Sequence, residues 1–212
     1  MELKIKEWFD AVTKAGCTVN AIEMLHEIRK HDGTMLFSLI ETDVTSPEGT
    51  RLPNIVFIRG HACVIVPRIE NKSTGDKKYL MVRQRRIGSG QMSLEFPAGM
   101  LDEHSGDPTG VAIRELEEET GLQLNKEALF PLHQNMLYSS VGGSDEGIYY
   151  YGCAIKVDNA EFISFQNRLA GNRSEDECIT VELISRENAE SQATTMQVPL
   201  GFYLFEKHLL SC

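Results

Sequence analysis

The stretch "GMLDEHSGDPTGVAIRELEEETGL", residues 99–122, decides the fold, because it predicts one well-bounded helix that carries a concentrated negative charge. Asp107 followed by Pro108 is typical of a helix start, since aspartate caps a first turn and proline suits its first position. Gly121 is typical of a helix end. On a helix over residues 108–120, the stripe that faces the core is Ala112, Ile113, Leu116 and Thr120.

Three glutamates of this helix lie on a stripe next to the core-facing one. Glu115, Glu118 and Glu119 stand at i, i+3 and i+4, so their carboxylates converge. Like charges one turn apart destabilise a helix by roughly 0.2–0.5 kcal/mol per pair. No lysine or arginine follows any of them at four residues, and Arg114 is the nearest local partner. A solvated acidic face would carry interspersed positive charges, so the pattern favours a cage for a hard divalent cation such as Mg²⁺.

This helix resembles the signature of the Nudix hydrolases, R-E-U-x-E-E-x-G-U, where U is an aliphatic residue. The matching residues are Arg114, Glu115, Leu116, Glu118, Glu119, Gly121 and Leu122. The first half of the signature departs, because the spacing from Gly99 to Arg114 is one residue longer than usual. The isolated glutamate of the family then falls near Gly106, which puts the local loop structure in doubt more than the activity.

Further segments resemble the ADP-ribose and ADP-sugar pyrophosphatase branch of that family, and they occur in its order. They are "FIRGHACVIVP" (57–67), "VRQRR" (82–86), "EFPAGM" (95–100), "SSVGGSDE" (139–146) and "SEDECITVELISREN" (174–188). The lengthened "AGMLDEHSGDPTG" (98–110) particularly resembles the ADP-sugar diphosphatases of plant type. The resemblance therefore covers most of residues 55–190.

The resemblance implies a role for each matched position. The metal ligands would be the carbonyl oxygen of Ala98 and the carboxylates of Glu115, Glu118 and Glu119. The residues that contact substrate would be Arg59, Arg86, Met100, Ser140, Gly143 and Glu146. The catalytic glutamates would be Glu177 and, less favoured, Glu175, on the loop "AGNRSEDE" (170–177). The chemistry of these residue types supports the substrate contacts. A planar guanidinium suits a diphosphate, and glycines let the backbone approach a ligand closely.

The composition of the chain limits its size class, its possible partners and its cellular compartment. A chain of 212 residues can bury one substantial core. Its net charge of −10 disfavours electrostatic binding to a nucleic acid backbone, because such binding needs a basic surface. Five scattered cysteines without a C-x-x-C pair indicate a reduced, cytoplasmic protein, and no apolar run approaches membrane-spanning length. We therefore expect neither a nucleic acid nor a membrane partner.

The order of patterns along the chain predicts an α+β protein with the Nudix fold, in which mixed β-sheets lie between helices. Helical spacing is expected over residues 3–31, clearest from Ala21 to Ile28, with an interruption at Gly16. "TMLFSLIET" (34–42) then predicts a strand, and short β-rich runs follow from residue 54. A last helix is expected over residues 199–210. Residues 1–53 form a candidate N-terminal subdomain for dimerisation, and residues 54–212 the candidate Nudix hydrolase domain.

The predicted function is Mg²⁺-dependent hydrolysis of a nucleoside diphosphate sugar, ADP-ribose or an ADP-hexose, to AMP and a sugar phosphate. Mn²⁺ is expected to substitute for Mg²⁺, and a homodimer is the expected assembly. A catalytically silent Nudix-fold sensor of nucleotide sugars is one alternative, although a binder has no need for the whole acidic cage. Another nucleotide substrate, such as UDP-glucose, a nucleoside triphosphate or an RNA cap, is the second alternative.

Overall fold

A computed structural model describes residues 1–101, 106–170 and 178–211. The helices are α1 (Leu3–Lys14), α2 (Pro108–Thr120), α3 (Asn159–Ser164), α4 (Arg186–Gln192) and α5 (Gln197–Ser211), and a 3₁₀ turn spans Lys126–Ala128. The first strands are β1 (Thr18–Arg29), β2 (Met35–Thr45), β3 (Ile55–Ile58), β4 (Ala62–Asn71), β5 (Lys77–Arg85) and β6 (Met92–Glu95). The later strands are β7 (Ala98–Met100), β8 (Phe130–Pro131), β9 (Leu137–Tyr138), β10 (Gly147–Val157), β11 (Leu169–Ala170) and β12 (Ile179–Ile184).

The chain forms two compact units. The first contains Met1–Ala62, Leu101–Gly106 and Leu137–Ile148, and the second contains Cys63–Met100, Asp107–Met136 and Tyr149–Cys212. The predicted α+β class is confirmed, since each unit combines helical structure with a β-sheet. None of the helices in the described ranges is both long enough and apolar enough to cross a membrane.

The first unit is built on an antiparallel sheet of order β1-β2-β3. Alternation along β2 sends Ile40 to a buried face, where it joins Ile5 of α1, Met35 and Ile58 in a small core. Trp8 is partly buried and packs against this cluster. The helix therefore covers one face of the sheet.

The predicted helix over residues 3–31 is wrong beyond Lys14. Gly16 adopts a φ of +90°, which ends the helix, and Thr18–Arg29 pairs with β2 instead. The apolar positions fit a helix only locally, because Ile22 and Ile28 alternate at a period of two as well. Pairing along almost the whole of β2, from Thr18 opposite Thr45 to Arg29 opposite Met35, overrides the weak helical spacing.

The division into residues 1–53 and 54–212 stays a prediction. The first compact unit extends past residue 53, because β3 pairs with β2 from Glu41 opposite Ile55 to Ser38 opposite Ile58. It also takes in residues 137–148, where Phe57 donates its N–H to the carbonyl of Gly143 at 2.8 Å. The unit is thus discontinuous in the chain.

The second unit contains a larger sheet with strand order β11-β12-β5-β4-β10-β8. Strand β6 pairs with β5, and β7 pairs with β4. The run "GIYYYGCAIKV" forms β10 as predicted, and the predicted last helix is α5. Tyr79, Phe96 and Phe202 meet edge to face, with ring centroids 4.7 Å apart for Tyr79 and Phe202, so α5 covers this part of the sheet.

Gly152 of β10 is required by packing. A methyl group there would lie 2.7–2.9 Å from side-chain atoms of Phe130, Leu132 and Phe205. We expect Gly152→Ala to lower the free energy of unfolding by about 1–3 kcal/mol, because the core must shift to admit the methyl group. Urea denaturation of Gly88→Ala is the matched control, since no atom lies within 4 Å of that site. Equal stability of the two variants would contradict the close approach of β10 to these side chains.

Candidate active site

The acidic helix α2 begins and ends where its sequence predicts. Asp107 caps its start by accepting from the N–H of Gly110 at 3.1 Å, and Pro108 is the first helical residue. Lys126 forms an ion pair with Asp107 and, together with the Gly110 N–H, holds the pKa of this carboxyl below its usual value. Gly121 ends the helix with a φ of +73° and donates to the carbonyl of Glu117 at 2.7 Å.

Glu119 joins this helix to the strand β7. Its side chain points into the protein, and only 4% of the residue is exposed. Oε2 accepts from the backbone N–H of Ala98 at 3.0 Å, across 21 residues of sequence. A hydrogen bond to an ionised carboxylate is stronger than one between neutral groups, so it fixes the Ala98 peptide beside the carboxylate. Two residues predicted as metal ligands are therefore adjacent.

Glu115 lies directly against the backbone of Gly99. A β-carbon on Gly99 would overlap the carboxylate group of Glu115, so no other residue leaves room for this side chain in its present position. Glu115 therefore lies against Gly99, while Glu119 binds the N–H of the preceding residue, Ala98, so both glutamates approach the start of β7. The glycine that opens the quoted stretch thus has a steric role, which sequence spacing alone does not reveal.

A buried thiol lies on the other side of the same strand. Cys63 Sγ donates to the carbonyl of Gly99 at 3.6 Å. Burial, opposed by the Gly99 contact and aided by the nearby charges of Glu115 and Glu119, raises the pKa of Cys63 to about 12. Cys63 is therefore a neutral thiol near neutral pH and not a nucleophile. No pattern in the sequence marked it as part of this region.

Glu118 and Arg114 occupy the exposed side of α2. Arg114 Nη2 lies 4.0 Å from Oε1 of Glu115, at the limit of an ion pair. The structure therefore brings Glu115 and Glu119 to the Ala98–Gly99 backbone and leaves the side chain of Glu118 facing solvent. A role for Glu118 as a metal ligand stays a prediction.

The residues present fit a hard divalent cation. The donors that converge here are carboxylate and carbonyl oxygens, which suit Mg²⁺. Across the described residues, no group of three or more histidine, cysteine, aspartate or glutamate side chains could hold a metal ion unaided. Mg²⁺ commonly retains several waters and is shared with substrate phosphates.

Arg86 also lies in the second unit, just beyond β5. Its Nε and Nη2 donate to Oε1 and Oε2 of Glu95 at 3.0 and 2.8 Å, a two-pronged ion pair. Glu95 is the more buried partner, with 13% of its side chain exposed. It stands three residues before Ala98, at the end of β6. Glu95 was quoted within "EFPAGM" but not predicted as a site residue, because contact with Arg86 depends on the pairing of β5 with β6.

The first unit holds the other predicted substrate residues. Arg59 Nε lies 2.5 Å from Oε1 of Glu146, but this N–H is not aligned with the oxygen and has no hydrogen-bond partner among the described residues. The guanidinium also lies 5.2 Å above the ring centroid of Phe37. Ser139, which sequence reasoning missed, donates to the second carboxylate oxygen of Glu146.

Ser140 and Gly143 form an exposed turn in the same unit. The N–H of Gly143 donates to the carbonyl of Ser140 at 3.1 Å, which closes a tight turn. Met100 ends β7 in the second unit and is half-buried. The predicted catalytic residues Glu175 and Glu177 lie outside the described residues.

Comparisons with known proteins show to which family the chain is similar. A family model described as "NUDIX domain" matches residues 60–198. Nudix hydrolase 14, chloroplastic, from Arabidopsis thaliana is 32% identical over 178 residues, which cover 80% of this chain. The chain spans 57% of the length of that relative. A crystal structure of an ADP compounds hydrolase superposes with a TM-score of 0.65 at 17% identity, covering 92% of this chain and 95% of the other.

The close contact between Gly99 and the Glu115 side chain provides a test of the metal site. Gly99→Ala should push the Glu115 carboxylate away while leaving the fold intact, because only the end of a flexible side chain must move. We expect the affinity for Mn²⁺, measured by electron paramagnetic resonance, to fall about 10-fold or more. Gly88→Ala is again the control, and an unchanged Mn²⁺ affinity in Gly99→Ala would remove Glu115 from the ligand set.

Proposed function

Because the chain belongs to the Nudix family, we propose that it hydrolyses the diphosphate bond of a nucleoside diphosphate sugar, such as ADP-ribose or ADP-glucose, to AMP and a sugar phosphate. This membership confirms the resemblance in the sequence and the Nudix fold. The observation that carries the proposal is the convergence of Glu115 and Glu119 on the Ala98–Gly99 backbone. The names of the two relatives add support, since one is a Nudix hydrolase and the other an ADP compounds hydrolase.

The proposed metal site consists of the Ala98 carbonyl, Glu115 and Glu119, with Glu118 assisting. Mg²⁺, or Mn²⁺ in its place, would neutralise phosphate charge and lower the pKa of a bound water. Glu119 has two tasks in this arrangement, because one of its oxygens also accepts from the N–H of Ala98. That hydrogen bond keeps the carboxylate and the backbone carbonyl at a fixed spacing before substrate arrives, which reduces the reorganisation needed for catalysis.

The predicted substrate residues would supply positively charged side chains and backbone groups that approach the substrate closely. Arg86 and Arg59 would bind diphosphate oxygens, and each is already oriented by a carboxylate, Glu95 and Glu146 respectively. Ser140, Gly143 and Met100 would complete the contacts with the nucleotide sugar. Holding a charged group in one direction lowers the entropy lost on binding.

Glu177, with Glu175 second, is proposed as the general base. The glutamates of α2 are poor candidates, because lone pairs committed to a metal are unavailable to take a proton from the attacking water. The proposal for this pair rests on the family resemblance alone.

A substrate panel tests the activity. The full chain is incubated with Mg²⁺ and ADP-ribose, ADP-glucose, UDP-glucose or a nucleoside triphosphate, and the nucleotide products are separated by chromatography. We expect AMP from the ADP-sugars with the highest kcat/KM. A preference for UDP-glucose or the triphosphate would reassign the substrate. Binding of an ADP-sugar without any turnover would instead indicate a silent sensor.

Glu119→Gln tests the role of the buried carboxylate. The amide oxygen still accepts from Ala98, so the fold is retained while the charge is lost. Turnover should fall by about 100-fold or more, which corresponds to ~2.7 kcal/mol of barrier. Glu117→Gln is the matched control on the same helix, because Glu117 is exposed and contacts Gln123. Equal activity of the two variants at saturating Mg²⁺ would refute the metal assignment.

We also propose that the protein is a homodimer joined through the first unit. Ile28, Leu39, Ile55 and Phe57 form the outer face of the β1-β2-β3 sheet, opposite the face that packs on α1. Each of these side chains is 36–49% exposed. An apolar sheet face and a long edge strand such as β1 are surfaces that proteins normally cover. A second copy of the chain is the occupant that the predicted dimerisation role of residues 1–53 supports.

Leu39→Glu tests the assembly. A charge in the middle of the outer face should convert the dimer to a monomer, because an unpaired buried charge opposes association. Light scattering after gel filtration measures the mass. Leu210→Glu, on the exposed side of α5, is the control and should leave the dimer intact. A monomeric wild-type protein, or a dimeric Leu39→Glu variant, would refute the proposed interface.

The cytoplasmic location stays a prediction from the cysteine pattern. The name of the Arabidopsis relative places that protein in the chloroplast. Imaging of the full-length gene product fused to a fluorescent protein would distinguish the two compartments.

A further inference from the structure

We propose that Lys4 and Asp145 are positioning residues that hold the Arg59–Gly60 peptide and thereby aim the Arg59 side chain at the substrate. This inference rests on the proposed function, in which Arg59 binds the diphosphate. It makes helix α1 a working part of the substrate site and not only a dimerisation element. We call Lys4, Asp145 and the peptide between them the peptide clamp.

Lys4 supplies the positive side of the peptide clamp. Only 5% of this lysine is exposed, although lysine is almost never buried without partners. Its Nζ donates to the carbonyl of Arg59 at 3.2 Å and to that of Leu36 at 2.8 Å. A buried ammonium is costly unless its hydrogen bonds are made. The ammonium of Lys4 therefore has two backbone acceptors, the carbonyls of Leu36 and Arg59.

Asp145 supplies the negative side. It is 7% exposed, and its Oδ1 accepts from the N–H of Arg59 at 2.7 Å. Its Oδ2 accepts from the N–H of Gly60 at 3.1 Å. The carbonyl of Arg59 and the N–H of Gly60 belong to one peptide group, so an ammonium lies at its oxygen and a carboxylate at its nitrogen. The two charges match the two ends of the peptide dipole.

Gly60 makes this arrangement possible. Its φ of +81° lies in the left-handed region, where other residues are strained. A β-carbon there would also approach the Lys4 side chain to 3.1 Å. The lysine stem thus lies along the glycine, and the chain turns sharply immediately after Arg59. The direction of the Arg59 side chain follows from this fixed backbone.

The side chain of Arg59 needs such support. Its guanidinium meets Glu146 and the ring of Phe37, but Nε makes no hydrogen bond to any described residue. Asp145 and Glu146 are neighbours in the chain, so one holds the backbone of Arg59 while the other pairs with its side chain. Loss of the peptide clamp would leave the guanidinium to adopt other directions, which weakens binding more than chemistry.

Kinetics of Lys4→Met test the proposal in the full chain. Methionine keeps the length of the side chain and removes the ammonium. We expect KM for the ADP-sugar to rise about 10-fold while kcat stays within about 2-fold, since ground-state positioning is lost. Lys6→Met is the control, because Lys6 is exposed on the same helix and pairs only with Asp10 among the contacts described. An unchanged KM in Lys4→Met would overturn the proposal.

A double-mutant cycle with Arg59→Met separates positioning from general destabilisation. If Lys4 acts through Arg59, adding Lys4→Met to the Arg59→Met variant should change KM by less than about 2-fold. An equal rise in both backgrounds would overturn the proposal. If Lys4→Met does not fold, Asp145→Asn replaces it in the cycle, since the amide keeps the shape and one acceptor. The same coupling to Arg59 is then expected, and its absence overturns the proposal.

Amide hydrogen exchange distinguishes this inference from the proposed activity. The N–H groups of Arg59 and Gly60 should exchange about 5-fold faster or more in Lys4→Met than in wild type, with strand β4 unchanged, because local opening costs less. This readout requires no turnover. Faster exchange in Lys4→Met, combined with a wild-type protein that hydrolyses no nucleotide sugar, would leave the peptide clamp standing and refute the proposed function. Unchanged exchange would refute the peptide clamp itself.

Discussion

The hydrogen bond between the Glu119 carboxylate and the Ala98 N–H is the contact on which the proposed metal site depends. Clustered glutamates on one helix repel each other, and the fold keeps them together by giving one of them a backbone donor. Gly99 removes the only side chain that would stand in the way of Glu115. The repulsion between the clustered glutamates is thus offset by two features of β7. The Ala98 N–H donates a hydrogen bond to Glu119, and Gly99 leaves space for Glu115.

Both predicted substrate arginines follow a common rule, since each pairs with a carboxylate that is less exposed than itself. Two nitrogens of Arg86 pair with the carboxylate of Glu95, and Arg59 lies against the carboxylate of Glu146. An exposed arginine alone would sample many rotamers, whereas a partly buried carboxylate selects one direction for the guanidinium. The same pairing also screens the arginine charge, so the diphosphate that we propose as ligand would have to offer stronger or additional contacts.

Local signals in the sequence predicted those parts of the fold whose causes are local. Helix α2 has its proline, cap and glycine within one stretch, and its bounds matched the prediction. Strand β1 was missed because its apolar spacing satisfies two periods, and pairing with β2 decides between them. Glu95, Asp145 and Lys4 were missed for a related reason. Each acts on a residue that is close only after folding, and Lys4 and Arg59 are 55 positions apart.

The position of Lys4 alters how the N-terminal residues should be understood. An element used only to join subunits could bury an apolar residue at position 4, which would avoid the cost of dehydrating an ammonium. A lysine is useful there only if its charge meets a group that an apolar side chain could not hold, and the Arg59 carbonyl is such a group. The outer face of the sheet lies on the side away from α1, so Lys4 and the proposed interface lie on opposite faces. The Arg59 guanidinium, in contrast, lies over the ring of Phe37, whose centroid is 5.5 Å from that of Phe57 on the outer face. The proposed assembly and the proposed substrate contact therefore involve neighbouring side chains of one small sheet.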